Sequence, residues 1–127
     1  MTSYSAVLGI DIGSVAASVA VMDNNRQILS TGYAFHRGDI AGTLTQLMKN
    51  LDLGRISYLA ATTSTPSSVL VGTRYNNQMA AITAAKSRHP KMGGLLVVGG
   101  EKFSFATFDA TGQYRGSTTN TSCAAGT

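Results

Sequence analysis

One local pattern occurs twice in this chain, 86 positions apart, and it restricts the folds that the sequence can adopt. In each copy an apolar run ends in a small-residue turn, a second run follows, and an aspartate-led turn opens a third. Gly13-Ser14 in the first copy corresponds to Gly99-Gly100 in the second, and Asp23 corresponds to Asp109. A solenoid repeat is much shorter than this spacing. The pattern therefore predicts two similar strand–turn–strand units, which we interpret as two devices that face a shared ligand.

The remaining periodicity predicts strands and helices in a single domain over residues 1–127, a length that suits one modest core. Apolar residues at helical spacing, with Asp39 as the N-cap, predict a helix over 40–51. An alanine-rich segment predicts a second helix over 76–88. Short apolar, β-branched runs predict strands at 5–12, 16–23, 27–35, 56–62, 95–98, 103–109 and 113–119.

Composition excludes several classes of function. Charged residues make up 13% of the chain, about half of the usual share, which suggests that part of the surface is normally covered. The net charge of +4 is spread without a basic run, so we do not expect nucleic-acid binding. We also expect no membrane span, because no apolar stretch approaches the required ~18 residues. The N-terminus lacks the charged region and the long apolar region of a signal peptide, so we expect none, and the single cysteine fits a reducing cytoplasm.

The first glycine turn has the composition of a phosphate-binding bend. Glycine lets the backbone approach a phosphate closely, and N–H groups around a tight bend attract anions. Ser14 adds a hydroxyl donor, and Asp11 at the end of the strand is suited to hold Mg²⁺ through its water shell. Gly99-Gly100 offers a second bend of this kind. The alternative for each bend is an ordinary hairpin turn, and neither matches a Walker loop or a dinucleotide fingerprint.

The only cysteine, Cys123, follows a strand-like segment and opens a small-residue cluster that reads like the start of a helix. A helix N-terminus lowers a thiol pKa and favours the thiolate that binds metals or attacks carbon. The alternative is a small buried apolar residue. Catalytic thiol chemistry needs a histidine partner, and neither His36 nor His89 stands in a context that predicts one.

Three segments together resemble a known family. The sequences GIDIGS at 9–14, GGEKFSFATFD at 99–109 and NTSCAAGT at 120–127 resemble the ATPase activators of 2-hydroxyacyl-CoA dehydratases and benzoyl-CoA reductases, most of all their long, multidomain subgroup. The resemblance covers nearly the whole chain, with its motifs in the expected order. It implies an α/β fold: a ribonuclease H-like, actin–hexokinase-type ATPase lobe with a mixed five-stranded sheet and flanking helices.

The resemblance also implies a function. ATP with Mg²⁺ would bind between two lobes, with Asp11, Gly13 and Ser14 at the first phosphate turn and Gly99-Gly100 at the second. Cys123 would be a ligand of a [4Fe–4S] cluster shared across a homodimer. ATP hydrolysis would then drive one electron from the cluster to an acyl-CoA dehydratase or reductase.

The sequence departs from the family pattern in several places. Val15–Ser18 replaces polar residues that many members carry after the first turn, Val97 replaces an acidic residue, and Lys102 replaces an aspartate. Family members continue past CAAGT, so we interpret the chain as an N-terminal lobe with little ATPase activity and weak nucleotide binding on its own. Two alternatives stay open: a sugar-kinase-like phosphotransferase lobe, and a degenerate, non-catalytic interaction domain of the same fold.

Overall fold

The computed structural model describes residues 5–121. The chain splits into two compact units, Met1–Tyr75 and Asn76–Thr127. That residues 1–127 form a single domain stays a prediction. None of the helices within 5–121 is long and apolar enough to cross a membrane.

The first unit is built on a mixed five-stranded sheet in the order β3-β2-β1-β4-β5. The pairs β1–β2 and β2–β3 are antiparallel, while β1–β4 and β4–β5 are parallel. The elements are β1 Ala6–Ile12, β2 Ala16–Asp23, β3 Ile28–Phe35, α1 Ile40–Met48, a short 3₁₀ helix Leu53–Arg55, β4 Ile56–Thr62 and β5 Thr73–Tyr75. The predicted strands are confirmed to within one residue here, but β5 was not predicted.

Alternation along β1 makes the core of this unit. Leu8 and Ile12 are almost completely buried, and they share one face of the strand because side chains two apart point the same way. Helix α1 covers that face, with Leu44 in the core. The predicted N-cap is confirmed: the Asp39 carboxylate accepts a hydrogen bond from the Gly42 N–H at 3.0 Å. The helix ends at Met48, three residues before the predicted end at 51.

The second unit pairs one helix with a three-stranded antiparallel sheet in the order β6-β7-β8. Its small core joins Ile82 of the helix to Ala106 and Phe108 of the sheet. The elements are α2 Asn77–Arg88, β6 Gly94–Val98, β7 Lys102–Phe108 and β8 Tyr114–Thr121. All four were predicted to within two residues.

The internal repeat is confirmed in the strand register. Leu8 lies opposite Val21 in the β1–β2 ladder. Gly94 lies opposite Thr107 in the β6–β7 ladder, which is the same register moved by 86 positions. The bulge in the β2–β3 ladder follows Val21, and the bulge in the β7–β8 ladder follows Thr107. The two strand–turn–strand units therefore share one backbone plan.

The aspartate-led turns are also equivalent, and the aspartates serve the turns themselves. Asp23 accepts hydrogen bonds from the backbone N–H groups two and four residues later, both at 2.9 Å. Asp109 accepts the corresponding bonds at 2.9 and 3.0 Å. The third turn residue has a positive φ in both copies, 63° at Arg26 and 87° at Gly112. This arrangement explains why aspartate recurs without any need for a ligand role.

What covers the two sheets differs between the copies. In the first copy, α1 buries the face that carries Ile10 and Val19. In the second copy, α2 packs on the opposite face, and Leu96 and Phe105 remain 57% and 43% exposed. The low charge content of the sequence thus corresponds to an apolar sheet face that is open to solvent in this unit.

The turn at Asp109 makes the stability of the fold depend on pH in the acid range. The pKa of Asp109 lies below its ordinary value, first because the Thr111 hydroxyl donates to the carboxylate and then because the Gln113 N–H does. The stabilisation is therefore present above about pH 4 and is lost as the pH falls through the lowered value. We expect the urea midpoint to fall less between pH 7 and pH 3 in Asp109→Asn than in the unmodified chain.

Asp52→Asn is the control, since the Asp52 side chain makes no capping hydrogen bond to the 3₁₀ helix. This variant should follow the unmodified chain at both pH values. Equal losses in Asp109→Asn and the unmodified chain would show that the Asp109 charge does not stabilise the turn.

Candidate functional site

The β1–β2 bend carries three of the predicted site residues in an exposed position. The Gly13 N–H donates to the Ala16 carbonyl at 3.0 Å and closes the bend. Asp11, Gly13 and Ser14 are all exposed. A Cβ added at Gly13 would meet no atom within 4 Å, and its φ lies outside the left-handed region. Glycine is therefore not needed for the turn; its effect is to leave the space over the bend open.

Parallel pairing of β1 and β4 brings a hydroxyl cluster to Asp11. Both strands end at the same edge of the sheet, because the carboxyl ends of parallel strands meet there. The Thr62 hydroxyl donates to the Asp11 carboxylate at 2.7 Å, and the Ser64 hydroxyl lies 3.4 Å from the same oxygen. The Thr62 hydrogen bond fixes the direction of the carboxylate at the mouth of the bend.

A buried threonine holds the end of β1 in place. The Thr65 hydroxyl is buried, accepts a hydrogen bond from the Ile12 N–H at 3.1 Å and lies 3.1 Å from the Thr62 hydroxyl. Ser64 donates to the Ile12 carbonyl at 2.8 Å. Both polar groups of the Ile12 backbone are thus bound by the loop that follows β4.

Arg74 on β5 fixes that loop in turn. Its guanidinium donates to the carbonyls of Thr65, Pro66 and Val69 at 2.5, 3.0 and 2.6 Å. The fork of five N–H donors suits this task, since one side chain satisfies three carbonyls of a single loop. The support of Asp11 therefore extends from β4 to the edge strand.

His36 packs against the bend from the end of β3. Its Nε2 lies 2.9 Å from the Gly13 carbonyl, and its Nδ1 accepts a hydrogen bond from the Gly38 N–H at 3.0 Å. The backbone N–H of His36 donates to the Val15 carbonyl at 3.1 Å. The sequence did not predict a role for this residue.

The chemistry of this donor set fits a nucleotide-bound magnesium ion. Mg²⁺ keeps several waters and needs only one or two carboxylates when phosphate oxygens supply further ligands. Asp11 is one such carboxylate. Across residues 5–121 no three histidine, cysteine or acidic side chains group together as a metal site.

The second glycine bend lies in the second unit and has no carboxylate at the position equivalent to Asp11. The Gly99 N–H donates to the Lys102 carbonyl at 2.8 Å, which repeats the Gly13–Ala16 bond 86 positions later. By the same offset, Val97 occupies the position that corresponds to Asp11. That Gly99 and Gly100 contact the same triphosphate as the first bend stays a prediction.

Cys123 lies outside the described residues, and its role as a cluster ligand also stays a prediction. The chain contains one cysteine, so two copies of it supply two thiolates. A [4Fe–4S] cluster takes four. The cysteine content of this chain therefore does not suffice to hold the cluster, even in a symmetric pair.

No family model matches the sequence, and no curated protein matches it significantly. Solved structures do. The activator of the 2-hydroxyisocaproyl-CoA dehydratase from Clostridium difficile, solved with bound ADPNP, matches 96% of this chain with a TM-score of 0.79 and 19% identity. The (R)-2-hydroxyglutaryl-CoA dehydratase component A from Acidaminococcus fermentans matches 94% with a TM-score of 0.76 and 16% identity. The ethanolamine utilization protein EutJ from Carboxydothermus hydrogenoformans matches 90% with a TM-score of 0.58 and 14% identity.

The chain has the actin-like ATPase fold. The predicted α/β class and mixed five-stranded sheet are confirmed. The first two neighbours are a dehydratase activator and a dehydratase component, which agrees with the resemblance seen in the motifs. The chain spans about half of those two proteins, since it covers 48% of each.

Proposed function

We propose that this chain is the ATP-binding lobe of an activator that serves an acyl-CoA dehydratase or reductase. The observation that supports this most is the exposed Asp11 carboxylate, held by the Thr62 hydroxyl beside the open bend at Gly13-Ser14. The bend occurs in a fold shared with a dehydratase activator that was solved with a nucleotide analogue. A hairpin that served only to connect two strands would not need a carboxylate fixed at its mouth.

Each group in the bend has a separate task in this proposal. The backbone N–H groups around Gly13-Ser14 and the Ser14 hydroxyl bind phosphate oxygens, because oriented N–H groups form an anion-binding concavity. Asp11 binds the Mg²⁺ that accompanies the nucleotide, through the water shell of the ion. The Thr62 hydroxyl keeps the carboxylate directed at that ion. The Gly99-Gly100 bend supplies donors to the terminal phosphates.

The wider activity is proposed on the resemblance and on the two dehydratase-related neighbours. In a protein that carries further cysteine ligands, Cys123 would help to hold a [4Fe–4S] cluster shared by a homodimer. Such a cluster would provide one-electron transfer, coupled to ATP hydrolysis, to the partner enzyme. We place this activity in the cytoplasm. The chain alone is expected to bind nucleotide weakly and to hydrolyse little.

Magnesium dependence tests the proposal. ADPNP binding to the chain, followed by ³¹P NMR with and without Mg²⁺, should be tighter with Mg²⁺. Asp11→Asn should remove most of that gain, about tenfold in affinity, because the amide keeps the shape of the carboxylate but not its charge. Asp52→Asn, a matched change on the exposed 3₁₀ cap, should keep the gain.

An Asp11→Asn variant with the affinity and Mg²⁺ dependence of the unmodified chain would show that Asp11 holds no magnesium. The chain would then be better explained as a degenerate, non-catalytic interaction domain. Val97, an apolar residue at the equivalent position of the second copy, already fits that explanation.

A further inference from the structure

His36 is a buried histidine whose two ring nitrogens both bind backbone groups. Nδ1 accepts from the Gly38 N–H at 3.0 Å, so this nitrogen carries no proton. The proton of the neutral ring is therefore on Nε2, which donates to the Gly13 carbonyl at 2.9 Å. The two contacts together select one tautomer and one ring orientation.

We propose that His36 is a positioning residue for the phosphate bend, an inference that rests on the proposed function. The carbonyl of Gly13 and the N–H of Ser14 belong to one trans peptide and point in opposite directions. Holding the Gly13 carbonyl against the imidazole therefore directs the Ser14 N–H away from the ring. His36 thus fixes the direction of the Ser14 N–H, one of the donors that the bend offers to a phosphate.

Backbone bonds connect the same histidine to the rest of the unit. Its N–H donates to the Val15 carbonyl at 3.1 Å, and its carbonyl accepts from the Asp39 N–H at 2.8 Å. Between His36 and Asp39 the backbone has positive φ values, 51° at Arg37 and 84° at Gly38. Asp39 caps α1, so the bend is tied to the start of the helix through His36.

Two substitutions separate the two ring nitrogens. His36→Gln places an amide N–H near the position of Nε2, which keeps a donor for Gly13 and removes the acceptor for Gly38. His36→Asn keeps an acceptor near the position of Nδ1 and removes the donor for Gly13. Each loses one backbone contact, so similar losses of stability are expected.

The two variants should differ in their affinity for the nucleotide. We expect His36→Asn to weaken the binding of Mg·ADPNP about tenfold and His36→Gln to stay within about twofold of the unmodified chain. The backbone amide resonance of Ser14, without nucleotide, should move in His36→Asn and stay near its original position in His36→Gln. Equal effects of the two variants on both readouts would overturn the proposal and leave His36 with a purely structural role.

The imidazole ¹⁵N shifts of the unmodified chain give a readout that needs no variant to fold. They should show the neutral Nε2–H tautomer, and a neutral Nδ1–H form would overturn the proposal. If the unmodified chain bound no nucleotide, the proposed function would fail, while the Ser14 amide and the imidazole shifts would still decide whether His36 orients the bend.

Discussion

Gly13→Val is expected to weaken Mg·ADPNP binding at least tenfold while leaving the free energy of unfolding within about 0.5 kcal/mol of the unmodified value. No atom lies within 4 Å of a Cβ at Gly13, and the backbone there is not left-handed, so the fold accommodates a side chain. The isopropyl group would instead fill the space over the bend, where the proposal places a phosphate. Urea denaturation and an NMR titration measure the two quantities.

Gly93→Val is the matched control for this change. A Cβ at Gly93 also meets nothing within 4 Å, and this residue precedes β6, away from both glycine bends in the sequence. We expect it to alter neither stability nor affinity. If Gly13→Val bound the nucleotide as tightly as Gly93→Val does, the space over the first bend would not be a phosphate site.

Leu8→Ala is expected to destabilise the first unit by about 3 kcal/mol, the largest stability effect that we predict. Leu8 is fully buried in the centre of β1, with α1 over its face of the sheet. Truncation removes buried methyl groups and leaves a cavity that the neighbouring strands cannot close. The urea midpoint measures the loss, provided that the dependence of the unfolding free energy on urea is unchanged.

Leu70→Ala deletes the same atoms from a side chain that is 84% exposed. We expect a change within about 0.5 kcal/mol, since exposed positions of this kind contribute little. A Leu8→Ala loss no larger than that of Leu70→Ala would contradict the packing of β1 against α1.

The sequence predicted those parts of the fold that depend on local pattern. Burial alternates along β1, where Leu8 and Ile12 face α1, and short β-branched runs mark the other long strands. The carboxylate of Asp39 at the start of α1 is a local signal of the same kind. The repeat at 86 positions was visible in the glycine turns and the aspartate-led turns, and the structure extends it to the full register of three strands.

The parts that the sequence did not predict depend on contacts between distant segments. Thr62 and Ser64 reach Asp11 only because β1 and β4 pair in parallel across some fifty positions. The hydroxyl-rich run TTSTPSS at 62–68 was the available signal, but it is also typical of an ordinary loop. Strand β5 has three residues, too few for a period, and Arg74 within it gave no local sign of its three carbonyl partners.

Nucleotide binding at the first glycine bend can be tested by a titration of the ¹⁵N-labelled chain with Mg·ADPNP, followed amide by amide into the millimolar range. We expect saturable shifts at Gly13, Ser14 and Val15, and in Asp11→Asn about tenfold more Mg·ADPNP should be needed to reach the same shifts. An absence of shifts at the bend, or saturable shifts confined to the apolar cleft around Leu53 and Tyr58, would contradict this expectation.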